Sequence, residues 1–118
     1  MKIEFDYDDI PRRVPTEISL CLFRVLQEAL HNAAKHSGAQ HFKVRLEHTS
    51  DEIYLAVSDA GIGFDPTSAH ERGLGLASMQ ERVRLVNGTI VIESGPMSGT
   101  TVHVHVPFKD SDMELAAG

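Results

Sequence analysis

The sequence predicts an α+β protein, a two-layer α/β sandwich with a mixed, mostly antiparallel sheet covered on one face by helices. Three observations predict it. Apolar residues alternate over short runs joined by tight turns, and two longer segments repeat them with helical spacing. The order reads strand, helix, two strands, loop, helix, two strands. Hairpins whose apolar side must be covered by amphipathic helices give two layers around one core. At 118 residues the chain is expected to be one domain, residues 1–118, long enough for a single core and too short for two.

Each element has its own signal. Residues 2–6 alternate Ile3 and Phe5 against Lys2, Glu4 and Asp6, a short strand, and Pro11 to Pro15 form a turn. Thr16 is positioned to cap a helix with Glu17 in its first turn. That helix is expected to run to His36 and stop at Ser37-Gly38. On a wheel of about 100° per residue, Leu22, Leu26, Ala29, Leu30 and Ala33 share an apolar face. Arg24, Glu28, Asn32 and Lys35 fall on the opposite side as a polar stripe. Strands are expected at 42–48 and 52–58, joined by Thr49-Ser50-Asp51, with Val44, Leu46, Ile53, Leu55 and Val57 alternating inward. Residues 59–73 read as a glycine-bounded loop. A second helix follows from Leu74 to Val86, with Leu76, Met79, Val83 and Val86 inward and a stop at Asn87-Gly88. The last strands cover 89–94 and 101–108, with a turn at Gly95–Gly99. The core is therefore about 16–108, and 109–118 read as a flexible tail.

Bulk properties exclude some functions. A formal net charge of -6 argues against a grip on nucleic acid, which needs a basic face. No segment of the sequence is long and apolar enough to span a bilayer, so no direct membrane contact is expected from this domain. The lone Cys21, set among Leu20, Leu22 and Phe23, reads as a small core residue. It cannot form an internal disulfide, which suits a reducing, cytoplasmic compartment.

The residue types at three places suggest nucleotide chemistry. Glu28 and Asn32, four apart, project from neighbouring turns of one helix face. An Asn amide oxygen suits Mg²⁺ that keeps most of its waters and bridges phosphates, Lys35 offers a point charge to phosphate, and Glu28 can orient a metal-bound water or take a proton; taken alone, the same stripe also reads as an ordinary solvated helix face. Asp59 continues the inward parity of Ile53, Leu55 and Val57. It either stabilises a turn before Gly61 or accepts a hydrogen bond from the 6-amino group of adenine, which would favour ATP over GTP. Gly61 and Gly63 allow backbone to pass close to a flat ring, and Gly73 and Gly75 precede a helix whose first N–H groups can face phosphate. Neither glycine pair is a dinucleotide fingerprint, and no Gly-x-x-x-x-Gly-Lys-Ser/Thr loop exists.

Four segments in order carry a resemblance. They are Gln27-Glu28-Ala29-Leu30-His31-Asn32-Ala33-Ala34-Lys35-His36, Asp59-Ala60-Gly61-Ile62-Gly63-Phe64, Gly73-Leu74-Gly75-Leu76-Ala77-Ser78-Met79-Gln80-Glu81-Arg82, and Gly99-Thr100-Thr101-Val102. Over roughly residues 16–108 the chain resembles the catalytic ATP-binding domain of sensor histidine kinases, in the class paired with helix-turn-helix response regulators. The resemblance implies the Bergerat fold, Mg²⁺ on Asn32, adenine on Asp59, and a base pocket shaped by Gly61 and Gly63. It also implies phosphate contacts at Gly73, Leu74, Gly75 and Leu76, with Lys35 and His36 nearby, and an adenine contact from Thr101 or its neighbour Thr100. Residues 64–72 match the ATP lid, and Glu28 matches the acidic residue of the Asn-bearing motif.

The same likeness implies partners. The family's acceptor His lies on a separate dimerisation hairpin, in a setting that none of the seven histidines here has. The expected partners are thus ATP, that phosphoacceptor domain and a response regulator receiver domain. A serine kinase of the anti-sigma type, which shares the fold, and a non-catalytic docking module are the competing readings.

Overall fold

In the computed structural model, which describes residues 2–8, 14–34, 41–49, 51–61, 76–95 and 99–108, β1 (Lys2–Asp8) leads into α1 (Thr16–Asn32). The hairpin β2 (His41–His48) and β3 (Glu52–Asp59) follows. Then come α2 (Leu76–Leu85), β4 (Thr89–Ser94) and β5 (Thr100–Pro107). The five strands lie in the order β1-β2-β3-β5-β4. β1 pairs with β2 in parallel and every other pair is antiparallel. Parallel pairing needs a crossover, and α1 supplies it. The α+β sandwich expected from the sequence is the one observed.

Alternation decides which side of the sheet is covered. Phe42, Val44, Ile53, Leu55, Val57, Val102, Val104 and Val106 are at most 4% exposed, and each fully buried side chain of this size contributes about 1.5–3 kcal/mol. Their counterparts on β1, namely Ile3, Phe5 and Tyr7, stay 46–67% exposed. They sit opposite Phe42, Val44 and Leu46 on the same face, beyond full cover by the helices.

Helix α1 departs from its expected details. Its buried stripe is Ile18, Cys21, Val25, Ala29 and Asn32, so the core-facing line is offset from the Leu22-Leu26-Leu30 line, which is only partly buried beside it. The wheel is apolar over a wide arc, and packing against β3 and β5 selects the centre. Asn32, assigned by the wheel to the opposite side, is therefore buried. Thr16 is the first helical residue and not the cap. Pro15 holds the capping position with ψ 140 and no side-chain bond, and its carbonyl accepts from Ile18 and Ser19 N–H. The α-helix ends at Asn32 and passes into a wider π-type turn at 33–34. The rest of the expected run to His36 lies outside the described residues.

Helix α2 buries Met79 and Val83, with Leu76 and Val86 packed against the same core. It ends where expected. Asn87 takes φ 61, Gly88 N–H donates to Val83 O at 2.9 Å and Asn87 N–H to Arg84 O at 3.0 Å, the paired bonds of a Schellman turn. A Cβ on Gly88 would lie 2.8 Å from His105 O, so the turn presses directly on β5.

Met79 is 2% exposed and ties α2 to the sheet. Met79→Ala should cost about 2–5 kcal/mol, seen in urea unfolding as a lower midpoint at unchanged slope. A smaller loss would mean that α2 is not pinned through this side chain.

Candidate functional site

Register lines up the polar end of the covered face. Asp59 lies opposite Phe42 on β2 and Thr100 on β5, and Thr100 lies opposite Ser94 on β4. Phe42, Asp59, Thr100 and Ser94 thus form one row across four strands, all on the side that the helices cover. Phe42 packs beneath Leu30 and Ala33, so the last turn of α1 closes over the row next to Asp59. The sequence left Thr100 and Thr101 as alternatives. Thr100 shares the row with Asp59, whereas Thr101 opposes Ser58 on the other face.

Two glycines and two hydroxyls support the row. Gly61 N–H donates to Asp59 Oδ1 at 2.8 Å, which fixes the carboxylate's rotamer in a turn of the Asx kind. The local turn is therefore present, and it leaves the side chain on the inward parity. Gly99 has φ 73 and a Cβ there would sit 2.3 Å from Asp59 O, so β5 can enter the sheet only with glycine at this point. Ser94 Oγ bonds Thr100 Oγ1 at 2.8 Å and donates to Gly99 O at 3.1 Å. Gly99 and Ser94 were not among the expected site residues. The Gly-Thr-Thr-Val run contained Gly99, but only the tertiary contact reveals why it is needed.

Along α1, Glu28 is half-buried and Asn32 is 8% exposed, the one buried polar residue among the described residues. An amide buried at the end of a helix, over the polar end of the sheet, offers an oxygen donor of the type that hard cations take. Among the described residues no group of three or more His, Cys, Asp or Glu could cage a metal. Asn32 offers one hard oxygen donor, of the kind taken by a cation that shares its shell with phosphate and water. His31, in the same helix, is exposed. Lys35, His36, Gly63, Gly73, Leu74 and Gly75, and the lid over 64–72, lie outside the described residues. Leu76 is the first residue of α2 and partly buried.

Other chemistry-bearing side chains lie elsewhere. Cys21 is 5% exposed, and burial raises its thiol above the ordinary value against a smaller downward pull from Arg82. It is a core residue and a poor nucleophile. His103 and His105 are on the uncovered face, with Tyr54 Oη bonded to His103 Nδ1 at 2.6 Å and His105 Nδ1 bonded to Glu52 at 3.0 Å. Burial, then Glu47 and Glu93, raise the Tyr54 hydroxyl. A cavity of about 420 Å³ opens round the strand ends at this row, lined by Phe42 and Asp59 together with Glu4, His41, Lys43, Ser58 and Ala60.

Comparison with known proteins gives one direction. Residues 18–110 match the family described as histidine kinase-, DNA gyrase B-, and HSP90-like ATPase. The signal transduction histidine-protein kinase/phosphatase DegS of Brevibacillus brevis is 36% identical over 106 residues, covering 90% of this chain and 28% of that protein. The oxygen sensor histidine kinase NreB of Staphylococcus carnosus is 42% identical over 103 residues, covering 84% of this chain and 29% of that protein. The chain thus spans under a third of the length of these curated relatives. Among solved structures, the ATP binding domain of PrrB from Mycobacterium tuberculosis superposes with TM-score 0.62 at 24% identity, over 89% of this chain and 79% of that one. A blue-light activated histidine kinase of Erythrobacter litoralis gives 0.73 at 21%, over 95% of this chain and 36% of that one. At these identities the structural likeness speaks for the fold alone.

Gly99→Ala should force β5 away from Asp59. It adds about 1–2 kcal/mol of left-handed backbone strain to a clash with the Asp59 carbonyl. Thermal melting should fall, and affinity for a fluorescent ATP analogue should drop about tenfold or more. An unchanged melting temperature would show that the sheet end tolerates a side chain there.

Proposed function

The chain belongs to the family of histidine kinase-, DNA gyrase B- and HSP90-like ATPases, and from that premise we propose that it is the ATP-binding catalytic part of a sensor histidine kinase. In this reading it binds Mg-ATP and donates the γ-phosphoryl group to a histidine on a separate dimerisation domain, from which a response regulator receiver domain takes it. The named relatives support the kinase reading over a serine kinase or a docking module. Among the described residues no helix is long and apolar enough to cross a membrane, and we assign the domain to the cytoplasm on the lone, buried Cys21.

The observation that carries the reading is the row Phe42–Asp59–Thr100–Ser94. It holds a carboxylate in a fixed rotamer on an apolar face, beside a hydroxyl pair and an aromatic floor. Asp59 accepts from the adenine amino group, and Phe42 and Thr100 bound the base. A carboxylate facing a carbonyl oxygen is repulsive, so guanine is refused. Asn32 contributes an amide oxygen to Mg²⁺, which when bound neutralises charge on the triphosphate. Glu28, one turn back on the same helix, serves in this reading as proton acceptor for the attacking group or as orienter of metal-bound water. Gly63, Gly73, Leu74, Gly75, Lys35 and His36 complete the base and phosphate contacts in this reading.

Labelled ATP with the histidine-bearing segment of the parent protein tests it. Acid-labile, alkali-stable phosphate on that segment is the expected product; acid-stable phosphate on serine would replace this reading by the serine kinase one. Asp59→Asn keeps an oxygen for Gly61 N–H but adds a donor, so preference for ATP over GTP should shrink about tenfold or more. Undiminished preference would remove Asp59 from base recognition. Asn32→Ala should abolish the Mg²⁺ dependence of nucleotide affinity, and a retained metal effect would assign the ion to other ligands.

A further inference from the structure

One charged feature between the helices is not used by the nucleotide reading. Arg24 and Arg82, from α1 and α2, line a small cavity of about 130 Å³ together with Gln27, Glu28, Ser78 and Met79. Arg24 donates to Gln27 Oε1 at 3.2 Å, a contact within its own helix. Among the described residues the side chains of Arg82 and Glu28 make no hydrogen bond or ion pair. Glu81, the carboxylate next to Arg82 in sequence, is taken by Arg84 at 2.6 and 3.1 Å. Two guanidiniums share this concavity with the single carboxylate of Glu28 and neither is ion-paired among the described residues, which stands out on a chain with 17 acidic against 11 basic residues.

Position gives the cavity a role. Arg24, Glu28 and Asn32 recur every four residues and so follow one line along α1. The cavity spans the turn from Arg24 to Glu28, one turn before Asn32, whose end of the helix closes over the Asp59 row. A group delivered to the phosphate end near Glu28 and Asn32 would present its flanking side chains here. The volume admits a carboxylate or a single phosphate and is far too small for a nucleotide. Guanidinium forks match carboxylates in two-point contacts.

We propose that Arg24 and Arg82 form the docking point for a carboxylate side chain on the helix that carries the acceptor histidine. This rests on the kinase reading above. Exposed charge pairs contribute little static energy but accelerate and register an encounter, so the arginines should act on capture of the partner and leave nucleotide affinity and turnover alone.

The test uses this chain, labelled ATP, and the histidine-bearing segment of the parent protein as substrate. In the double variant Arg24→Gln, Arg82→Gln, KM for that segment should rise about tenfold while kcat stays within about twofold. Affinity for a fluorescent ATP analogue should not change. Moderate salt should raise KM of the unmodified chain toward that of the variant and barely move the variant, because screening removes what the substitution removes. Arg24→Lys, Arg82→Lys should recover part of the loss, since the charge returns without the fork. An unchanged KM overturns the proposal. So does weaker ATP binding, which would give the arginines to the triphosphate, and so does a fall in kcat alone, which would make them positioning residues for Glu28. Failure of the unmodified chain to phosphorylate the segment while still binding ATP sinks the kinase reading itself, a different result from any of these.

Discussion

Asp59 puts a carboxylate on the apolar side of a sheet, and the neighbouring structure is arranged to make that tolerable. Burying a polar group without a partner costs several kilocalories per mole, and a charge costs more. The first answer is local, because Gly61 N–H meets Oδ1. The second is lateral, because Thr100 and Ser94 bring hydroxyls into the same row. The third is steric. Gly99 lets β5 come against the Asp59 carbonyl where any side chain would hold it off. A position that a core would fill with valine is thus kept polar with the help of two glycines and two hydroxyls.

The helices divide the remaining work. α2 is short and fixed at its end by the Asn87-Gly88 turn against β5, which sets where its first residues lie relative to the row. α1 carries both the deepest core contacts and the polar line of Arg24, Glu28 and Asn32. Its buried stripe ends on Asn32, so the amide oxygen is held by the same packing that holds the hydrophobic core. In the function proposed here, binding chemistry and stability are therefore coupled through that one helix.

Much of this was legible in the residues, for physical reasons. Alternation along β3 and β5 fixes inward and outward faces because side chains repeat every two residues. The second helix stops at Asn87-Gly88 because few other pairs fit a left-handed turn. What was not legible depends on register and packing. Thr100 and Thr101 are both hydroxyls beside a glycine, and only the pairing of Thr100 with Asp59 separates them. The wheel of α1 is apolar over so wide an arc that sequence centred it one residue away from the stripe that packs. Thr16 has a capping side chain, yet Pro15 already fixes the entry angle and takes the capping position. The parallel partner of β1 follows from the crossover and not from any pattern within residues 2–8.

β1 has a neighbour on one side only, and its inner side chains are poorly covered. A pull entering at Lys2 runs along the strand, across its rungs to β2, and so loads them together in shear. A tug on the strand therefore meets the whole ladder at once, with β2 standing between it and the carboxylate of β3.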